Sequence, residues 1–170
     1  IMGQAPPGDS YNELGDGMPM IAGAGDLGEM YPKPAKFTTK PKKVCQKGDI
    51  ILCIRATIGD KNWADKEYCL GRGVAVLQPK KEILSSKYLW HWIDTAKQFL
   101  LTNSRGSTFK QVTKDVIERW KITLPSLNEQ NRIAAILDKA TEIRGTSRQS
   151  QKMRSEFITA TYLDMFGDPI

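Results

Sequence analysis

The chain has 170 residues, of which 40% are hydrophobic and 26% charged, and its formal net charge is +6. This length is enough to bury a single hydrophobic core. No stretch reaches the roughly 18 consecutive apolar residues that a membrane-spanning helix needs. The sequence does not begin with a charged and then apolar leader, so we expect a soluble, cytoplasmic protein without a membrane partner.

The cysteines and the histidine argue against a metal site or a disulfide framework. Cys45, Cys53 and Cys69 never form a CxxC pair, and His91 is the only histidine. Cys53 lies in the apolar run DIILCI, which predicts a buried small hydrophobic residue. His91 stands between two tryptophans on a predicted core helix, and we interpret it as structural.

The positive charge is concentrated in the middle of the chain. Residues 1–30 carry five acids and no bases, residues 31–70 nine bases and four acids, residues 71–125 ten bases and four acids, and residues 126–170 six of each. Such a distribution favours a surface that binds a polyanion, because each phosphate contact releases counterions. A solvated lysine surface explains the charge alone equally well.

The predicted elements begin with a Gly- and Pro-rich opening that contains one short strand, at residues 19–22. Strands follow at residues 49–55 and 73–78, where Ile, Leu and Val are frequent. After Ser85 and Ser86, which are suited to cap a helix, apolar residues recur at helical spacing from Leu89 to Leu100. A short helix at residues 113–119 and a strand at residues 120–124 complete this part. We therefore predict an α+β domain around a curved mixed β-sheet.

A long helix is predicted for the last quarter of the chain. Ser126 and Glu129 have the spacing of a capping box, while Gly167 and Pro169 are typical of residues that follow a helix. Nearly forty residues lie between them, a rod of roughly 55 Å at about 1.5 Å per residue. Gly145 near its middle is a position for a kink. We divide the chain into a globular domain, residues 1–125, and a helical region, residues 126–170.

Apolar residues recur near both ends of this helix, and its centre is polar. A lone helix cannot bury such a stripe, so we predict that it pairs with another long helix. The alternative is a helix folded back onto its own domain. The candidate pairing residues are Ile133, Leu137, Ala140, Ile143, Phe157, Ile158 and Tyr162.

Motifs for catalysis are missing from the sequence. It has no Gly-rich phosphate loop followed by Lys and Ser or Thr, and no glycine fingerprint of a nucleotide cofactor. It also lacks the Asn/Asp-Pro-Pro-aromatic motif of amino-methyltransferases and the acid-x-Lys pattern common in nucleases. We therefore predict a protein that is not an enzyme and has no catalytic residues.

Four segments, in this order and spacing, resemble a known family. They are MGQAPPGDSYNELGDGMPMI, KGDIILCIRATIGDKNWADKEYCLGRGVAVL, GSTFKQVTKDVIERWKITLPSLNEQNRIAAIL and YLDMFGDP. Together they are similar to the specificity subunit of type I restriction-modification systems. The match corresponds to one target-recognition domain followed by one conserved helical spacer, and it extends over essentially the whole chain.

This resemblance implies sequence-specific recognition of double-stranded DNA. Full-size members contain two such units whose helices pack antiparallel, so this chain would pair with a second copy or a second half. The resemblance also implies partners: modification subunits, which bind S-adenosylmethionine and methylate adenine, and restriction subunits, which use ATP and Mg. No cofactor is expected on this chain. Two alternatives are a stand-alone DNA-binding module, such as a regulator or anti-restriction decoy, and the recognition tail of a fused methyltransferase-nuclease.

The candidate DNA contacts are polar or basic residues in loops beside strand ends, and Arg and Asn pair bidentately with guanine and adenine edges. The segments that contain Arg55 and Arg72, IRATIGD and GRG, also fit structural or phosphate-holding roles. The lysines between residues 33 and 43 form the densest basic run, and Thr108 is suited to bind a phosphate or to cap the next segment. The candidates are Arg55, Lys61, Asn62, Arg72, Arg105, Lys110, Lys33, Lys36, Lys42, Lys43 and Thr108.

Overall fold

The computed structural model describes residues 1–106 and 110–167. Among these residues eight strands precede three α-helices, of which the last is long. The strands are β1 (Tyr11–Asn12), β2 (Met18–Ile21), β3 (Lys36–Thr38), β4 (Val44–Cys45), β5 (Ile50–Cys53), β6 (Lys61–Trp63), β7 (Tyr68–Leu70) and β8 (Val74–Leu77). The helices are α1 (Ser86–Thr102), α2 (Lys114–Glu118) and α3 (Leu127–Phe166).

The strands form two sheets instead of one. The larger has the order β1-β3-β2-β7-β4 and is mixed, because β2 and β7 run parallel while the other neighbours are antiparallel. The smaller has the order β6-β5-β8 and is antiparallel. The α+β class with a mixed sheet is confirmed, and its strands are divided between two layers.

Strand β5 explains how these layers pack. Alternate residues of a strand point to opposite faces, and here Ile50 and Leu52 join an apolar cluster with α1 and α2, while Ile51 joins a second cluster with the larger sheet. The smaller sheet is therefore buried on both faces, between the helices and the larger sheet. This arrangement accounts for the uninterrupted apolar run DIILCI, which an exposed face would interrupt with polar residues.

Several predicted elements are confirmed, and one is wrong. Strands β2, β5 and β8 and helices α1, α2 and α3 lie where the sequence places them. Residues 120–124, predicted as a strand, have no strand partner among the described residues. Their alternation has a different cause: Trp120 packs against Trp92 at 4.6 Å between ring centroids, and Ile122 packs against the core beside α1.

The beginning of α3 is attached to α1 by polar contacts. Gln130 is completely buried, and its amide accepts a hydrogen bond from the backbone of Ser85 at 2.8 Å and donates to the carbonyl oxygens of Ile83 and Pro125, each at 2.9 Å. Ser85 is the N-cap residue of α1, but its hydroxyl makes no capping hydrogen bond, so the side-chain cap predicted there is wrong. We call this set of contacts the Gln130 latch.

About two turns further along α3, an ionic contact continues the attachment to α1. Asp138 accepts a hydrogen bond from Lys87 at 2.8 Å and lies 2.7 Å from Nε2 of His91. Partial burial acts to raise the pKa of Asp138, but the hydrogen bonds from Lys87 and His91 outweigh it and hold the pKa below its usual value. His91 is thus structural, as the sequence indicates, and joins the domain to the helix.

Beyond this attachment α3 is exposed along its whole length. It remains helical through Gly145. The Ser126 hydroxyl accepts a hydrogen bond from the backbone of Glu129, and Gly167 follows the helix with a φ of +76°. Forty residues at about 1.5 Å each make a rod of roughly 60 Å. Only the first turns of α3 pack on the domain, so the alternative of a helix folded back onto its own domain applies to those turns alone.

Candidate nucleic-acid interface

Three of the candidate cations line one cleft on the globular domain. Lys36 in β3, Arg55 after β5 and Arg72 after β7 border a cavity of about 350 Å³. Within the described parts of the chain its lining contains no carboxylate. Its other lining residues are mostly small, so a bound group can approach the backbone closely. We call this cavity the basic cleft.

Close packing of glycines at the floor of the cleft explains the sequence GRG. The backbone N–H groups of Gly71 and Gly73 donate to the carbonyl oxygens of Ile21 and Ala22, at 2.8 and 2.9 Å. A Cβ atom on Gly73 would lie 2.3 Å from the Ala22 oxygen, and one on Gly71 would lie 2.8 Å from the Ala22 Cα. The two glycines therefore fix this turn against the end of β2, and Arg72 between them is exposed.

Arg55 is held on both its backbone and its side chain. The Cys53 thiol donates to the Arg55 carbonyl oxygen at 2.9 Å. The next residue, Ala56, has a φ of +56°, a left-handed conformation that costs roughly 1–2 kcal/mol for a residue with a Cβ. The Arg55 guanidinium donates through Nε and Nη2 to Oε1 of Gln111, at 3.0 and 2.5 Å. Strained backbone of this kind is frequent at functional sites.

The segment that carries Arg105 lies beside Arg55 as well. Arg105 and Gln111 exchange backbone hydrogen bonds of 2.9 and 2.8 Å, and Gln111 also bridges to Arg55. Lys110, which precedes Gln111, is exposed. The exposed Arg105 side chain is 3.2 Å from Asp115, so part of its charge is compensated. The fold thus brings Arg105 and Lys110 to the edge at which Arg55 lies.

Two candidates are held inside the protein, which corrects the expectation that they project into a groove. Asn62 is only 1% exposed, and its side chain bonds the backbone of Gly28 in both directions, at 2.9 and 3.0 Å. Lys61 pairs with Asp94 and lies over the ring of Trp90, 4.6 Å from its centroid. Burial lowers the pKa of Lys61, and Asp94 offsets this only in part. Asn62 therefore supports the loop around Gly28, and Lys61 is held against α1.

The remaining DNA-contact candidates lie apart from the basic cleft or outside the described residues. Lys33, Lys42 and Lys43 are exposed and are absent from the described lining of the cleft. Thr108 lies in the segment 107–109, outside the described residues. The DNA contacts of these residues stay predictions.

The helix-pairing candidates form two exposed apolar blocks on α3. Ile133 is half-buried against the domain, and Leu137 is 39% exposed, so the proximal block is shared between the domain and solvent. Ala140 and Ile143 line a shallow apolar depression together with Ile136, which sequence reasoning missed. The distal block is more exposed: Phe157 72%, Ile158 60% and Tyr162 53%.

Sequence reasoning also missed two polar residues that organise the site. Gln111 holds Arg55, and Gln130 fixes α3 to the domain. Each is a glutamine beside an apolar segment, and neither its spacing nor its neighbours distinguish it from a surface residue. The capping pattern near Ser126 was the nearest signal, since it placed Gln130 in the first turn of the helix.

The geometry defines a class of protein: an α+β domain with a carboxylate-free basic cleft, attached to a long and largely unpartnered helix. Residues 2–152 match the model of the family described as "Type I restriction modification DNA specificity domain". The chain belongs to this family. The described residues contain no cluster of metal-binding side chains and no helix long and apolar enough to cross a membrane.

Individual relatives agree with the family match. The chain is 36% identical over 152 residues to a Methanocaldococcus jannaschii protein assigned as the MjaX type I restriction enzyme specificity subunit. It resembles the HsdS subunit of Thermoanaerobacter tengcongensis with a TM-score of 0.76 and 31% identity over 89% of this chain. A structure from a study of complex assembly and conformational transition of a type I R-M system matches with a TM-score of 0.85, at 32% identity over 95% of this chain.

The chain spans only part of these proteins. It covers 36% of the Methanocaldococcus protein, 36% of the Thermoanaerobacter subunit and 40% of the chain in the type I system structure.

Proposed function

We propose that this chain recognises a DNA half-site for a type I restriction-modification system, with the basic cleft on the DNA. The observation that carries this proposal is the convergence of Lys36, Arg55 and Arg72 on one cleft of a DNA specificity domain. Arginine donors match phosphate oxygens and the guanine edge, which suits both positioning and sequence recognition. Because chromosomal DNA is the proposed ligand, we place the protein in the cytoplasm.

We further propose a non-catalytic role, in which residues 1–125 bind DNA and residues 126–170 form the spacer. Modification subunits with S-adenosylmethionine would methylate adenine, and restriction subunits with ATP and Mg would cleave. This division is supported by the family match. The chain itself would supply the recognition of the DNA sequence and the structural scaffold.

The pattern of α3 supports pairing with an antiparallel second helix, from a second copy or a second half. Ile133 and Met165 lie at equal distances along the chain from Gln149, and so do Ala140 and Ile158. A two-fold axis near Gln149 would therefore place the proximal block of one helix against the distal block of the other. A two-fold interface is self-complementary in this way, and a symmetric dimer would read an inverted repeat.

The decisive experiment sequences methylated adenines in cells that express this chain together with its modification subunit. A new interrupted motif that is lost when this chain is omitted would establish the proposal. A palindrome would indicate a symmetric pair, and an asymmetric motif would indicate a second recognition domain. No new methylation, with both proteins soluble and associated, would contradict the proposal and favour a stand-alone DNA-binding module.

The cleft itself is tested by DNA binding of the same complex as a function of salt. Replacing Arg72 by Ala should reduce the slope of log K against log salt by about 0.9, the value for one lost phosphate contact on duplex DNA. Lys152→Ala is the matched control, because Lys152 is an exposed base on the polar centre of α3, far along the chain from the cleft. Equal slopes for the wild type and Arg72→Ala would remove Arg72 from the interface.

A further inference from the structure

We infer that Gln111 is a positioning residue that makes Arg55 a specificity-determining group, while Arg72 serves general affinity. This inference rests on the proposed function and assigns different tasks to two arginines of the basic cleft. Both border the same cavity. They differ in how firmly the surrounding structure holds them.

The Arg55 side chain has a defined plane. Two of the five N–H donors of a guanidinium, those on Nε and Nη2, converge on the Oε1 atom of Gln111. The remaining three donors, two on Nη1 and one on Nη2, make no hydrogen bond with the described residues and can face a ligand. A guanidinium fixed in its plane discriminates between acceptor pairs, because a bidentate contact requires both acceptors in that plane.

The backbone on both sides of this contact is also fixed. The Arg55 carbonyl accepts the Cys53 thiol, Ala56 keeps a left-handed conformation, and Gln111 is bonded through its backbone to Arg105. Val112 adds a backbone hydrogen bond of 2.9 Å to the oxygen of Ile54. Neither partner of the Arg55–Gln111 pair therefore has to be ordered when DNA binds, which reduces the entropic cost of a specific contact.

Arg72 is held differently. Its neighbours Gly71 and Gly73 fix the backbone, and the side chain itself is exposed. A flexible cation at the rim of a cleft contacts phosphates irrespective of sequence, and it contributes to the salt-dependent part of binding. We therefore expect substitutions that affect Arg55 to change sequence specificity, and substitution of Arg72 to change overall affinity.

The test compares the affinities of the complex of this chain and its modification subunit for two duplexes. One duplex carries the methylated site found for the wild type. The other, the permuted duplex, contains the same bases, but their order within each half-site is changed. Gln111→Ala removes the side chain and keeps the backbone bonds to Arg105. We expect it to lower the ratio of cognate to permuted affinity by about 5- to 150-fold, the range of one good bidentate base contact, with the salt slope unchanged.

Two further variants separate positioning from charge. Gln111→Glu retains an acceptor for Arg55 but compensates its charge, so it should reduce the salt slope. Arg72→Ala should weaken binding to both duplexes by the same factor and leave their ratio unchanged. Thermal unfolding of each variant shows whether the fold is retained, since the backbone contacts of residue 111 are common to all of them.

Specific outcomes would overturn the inference. If Gln111→Ala leaves the affinity ratio unchanged, or lowers both affinities equally, Gln111 does not position a specificity group. This result is distinct from failure of the proposed function, because in that case the wild-type complex itself would not distinguish the two duplexes. If the wild type and Gln111→Ala distinguish the two duplexes equally well, the role inferred for Gln111 is contradicted, while the proposed function stands.

Discussion

Replacing Gln130 by Ala should destabilise the junction between the domain and α3 more than any exposed substitution on the same helix. The buried amide of Gln130 makes three hydrogen bonds, to the backbone of Ser85, Ile83 and Pro125. A neutral hydrogen bond contributes about 1 kcal/mol net, and an unsatisfied buried partner adds to the cost. We therefore expect the free energy of unfolding to fall by about 2–4 kcal/mol.

Urea unfolding followed by circular dichroism measures this change, with the slope m as a check that the unfolding transition is the same. Gln149→Ala is the matched control, because Gln149 is exposed on the polar centre of the same helix. A surface substitution of this kind changes the free energy of unfolding by no more than about 0.5 kcal/mol. If the two variants are equally stable, the latch does not hold α3 to the domain.

Three other predictions concern the helix, the junction and the core. Polar substitution of Leu137 and Ile143 should abolish helix pairing in sedimentation experiments while the domain stays folded, and loss of the fold would show that the stripe belongs to the domain core. Burial raises the pKa of Cys45 to about 11, so its thiol should resist labelling at pH 8 until urea unfolds the chain; rapid labelling in the native state would contradict its burial. Contacts with α1 lower the pKa of Asp138 in the folded protein. The stability that its carboxylate contributes should therefore be present above the pKa of the unfolded chain, about 3.9, and be lost as the pH falls through the lower pKa of the folded protein. Asp138→Asn should therefore be less stable than the wild type at neutral pH, and the difference should narrow in acid; a difference independent of pH would show that the carboxylate charge is unimportant.

The sequence predicted the elements whose burial pattern is strong and local. The apolar runs of β5 and β8 and the helical spacing of α1 gave their positions within a few residues. Strands β1, β3, β4, β6 and β7 were missed; each is only two or three residues long, and in β3 and β6 the residues Lys36, Lys61 and Asn62 also interrupt any apolar alternation. Conversely, the alternation after Trp120 looks like a strand, although it arises from packing against the core.

The site was less predictable than the elements, because it depends on contacts between distant parts of the chain. Lys36, Arg55 and Arg72 were candidates from the sequence, but β2 must pair with both β3 and β7 to bring Lys36 near Arg72. A hydrogen bond from Ile54 to Gly73 joins the Arg55 segment to them. Asn62 was expected on the surface and is buried, since its amide serves the loop at Gly28. Gln111 joins Arg55 across 56 positions of sequence, a separation that no local pattern reveals.

The exposed distal block of α3 has a consequence for the life of the protein in the cell. In this block Phe157 is 72% exposed and Ile158 is 60% exposed, and exposed apolar surfaces of this kind attract chaperones and proteases. If α3 pairs as proposed, a chain synthesised in excess over its helical partner would present this surface until it is degraded. Quality control would then match the supply of this chain to that of its partner, so that the stoichiometry of the assembly is set partly by the turnover of orphan chains.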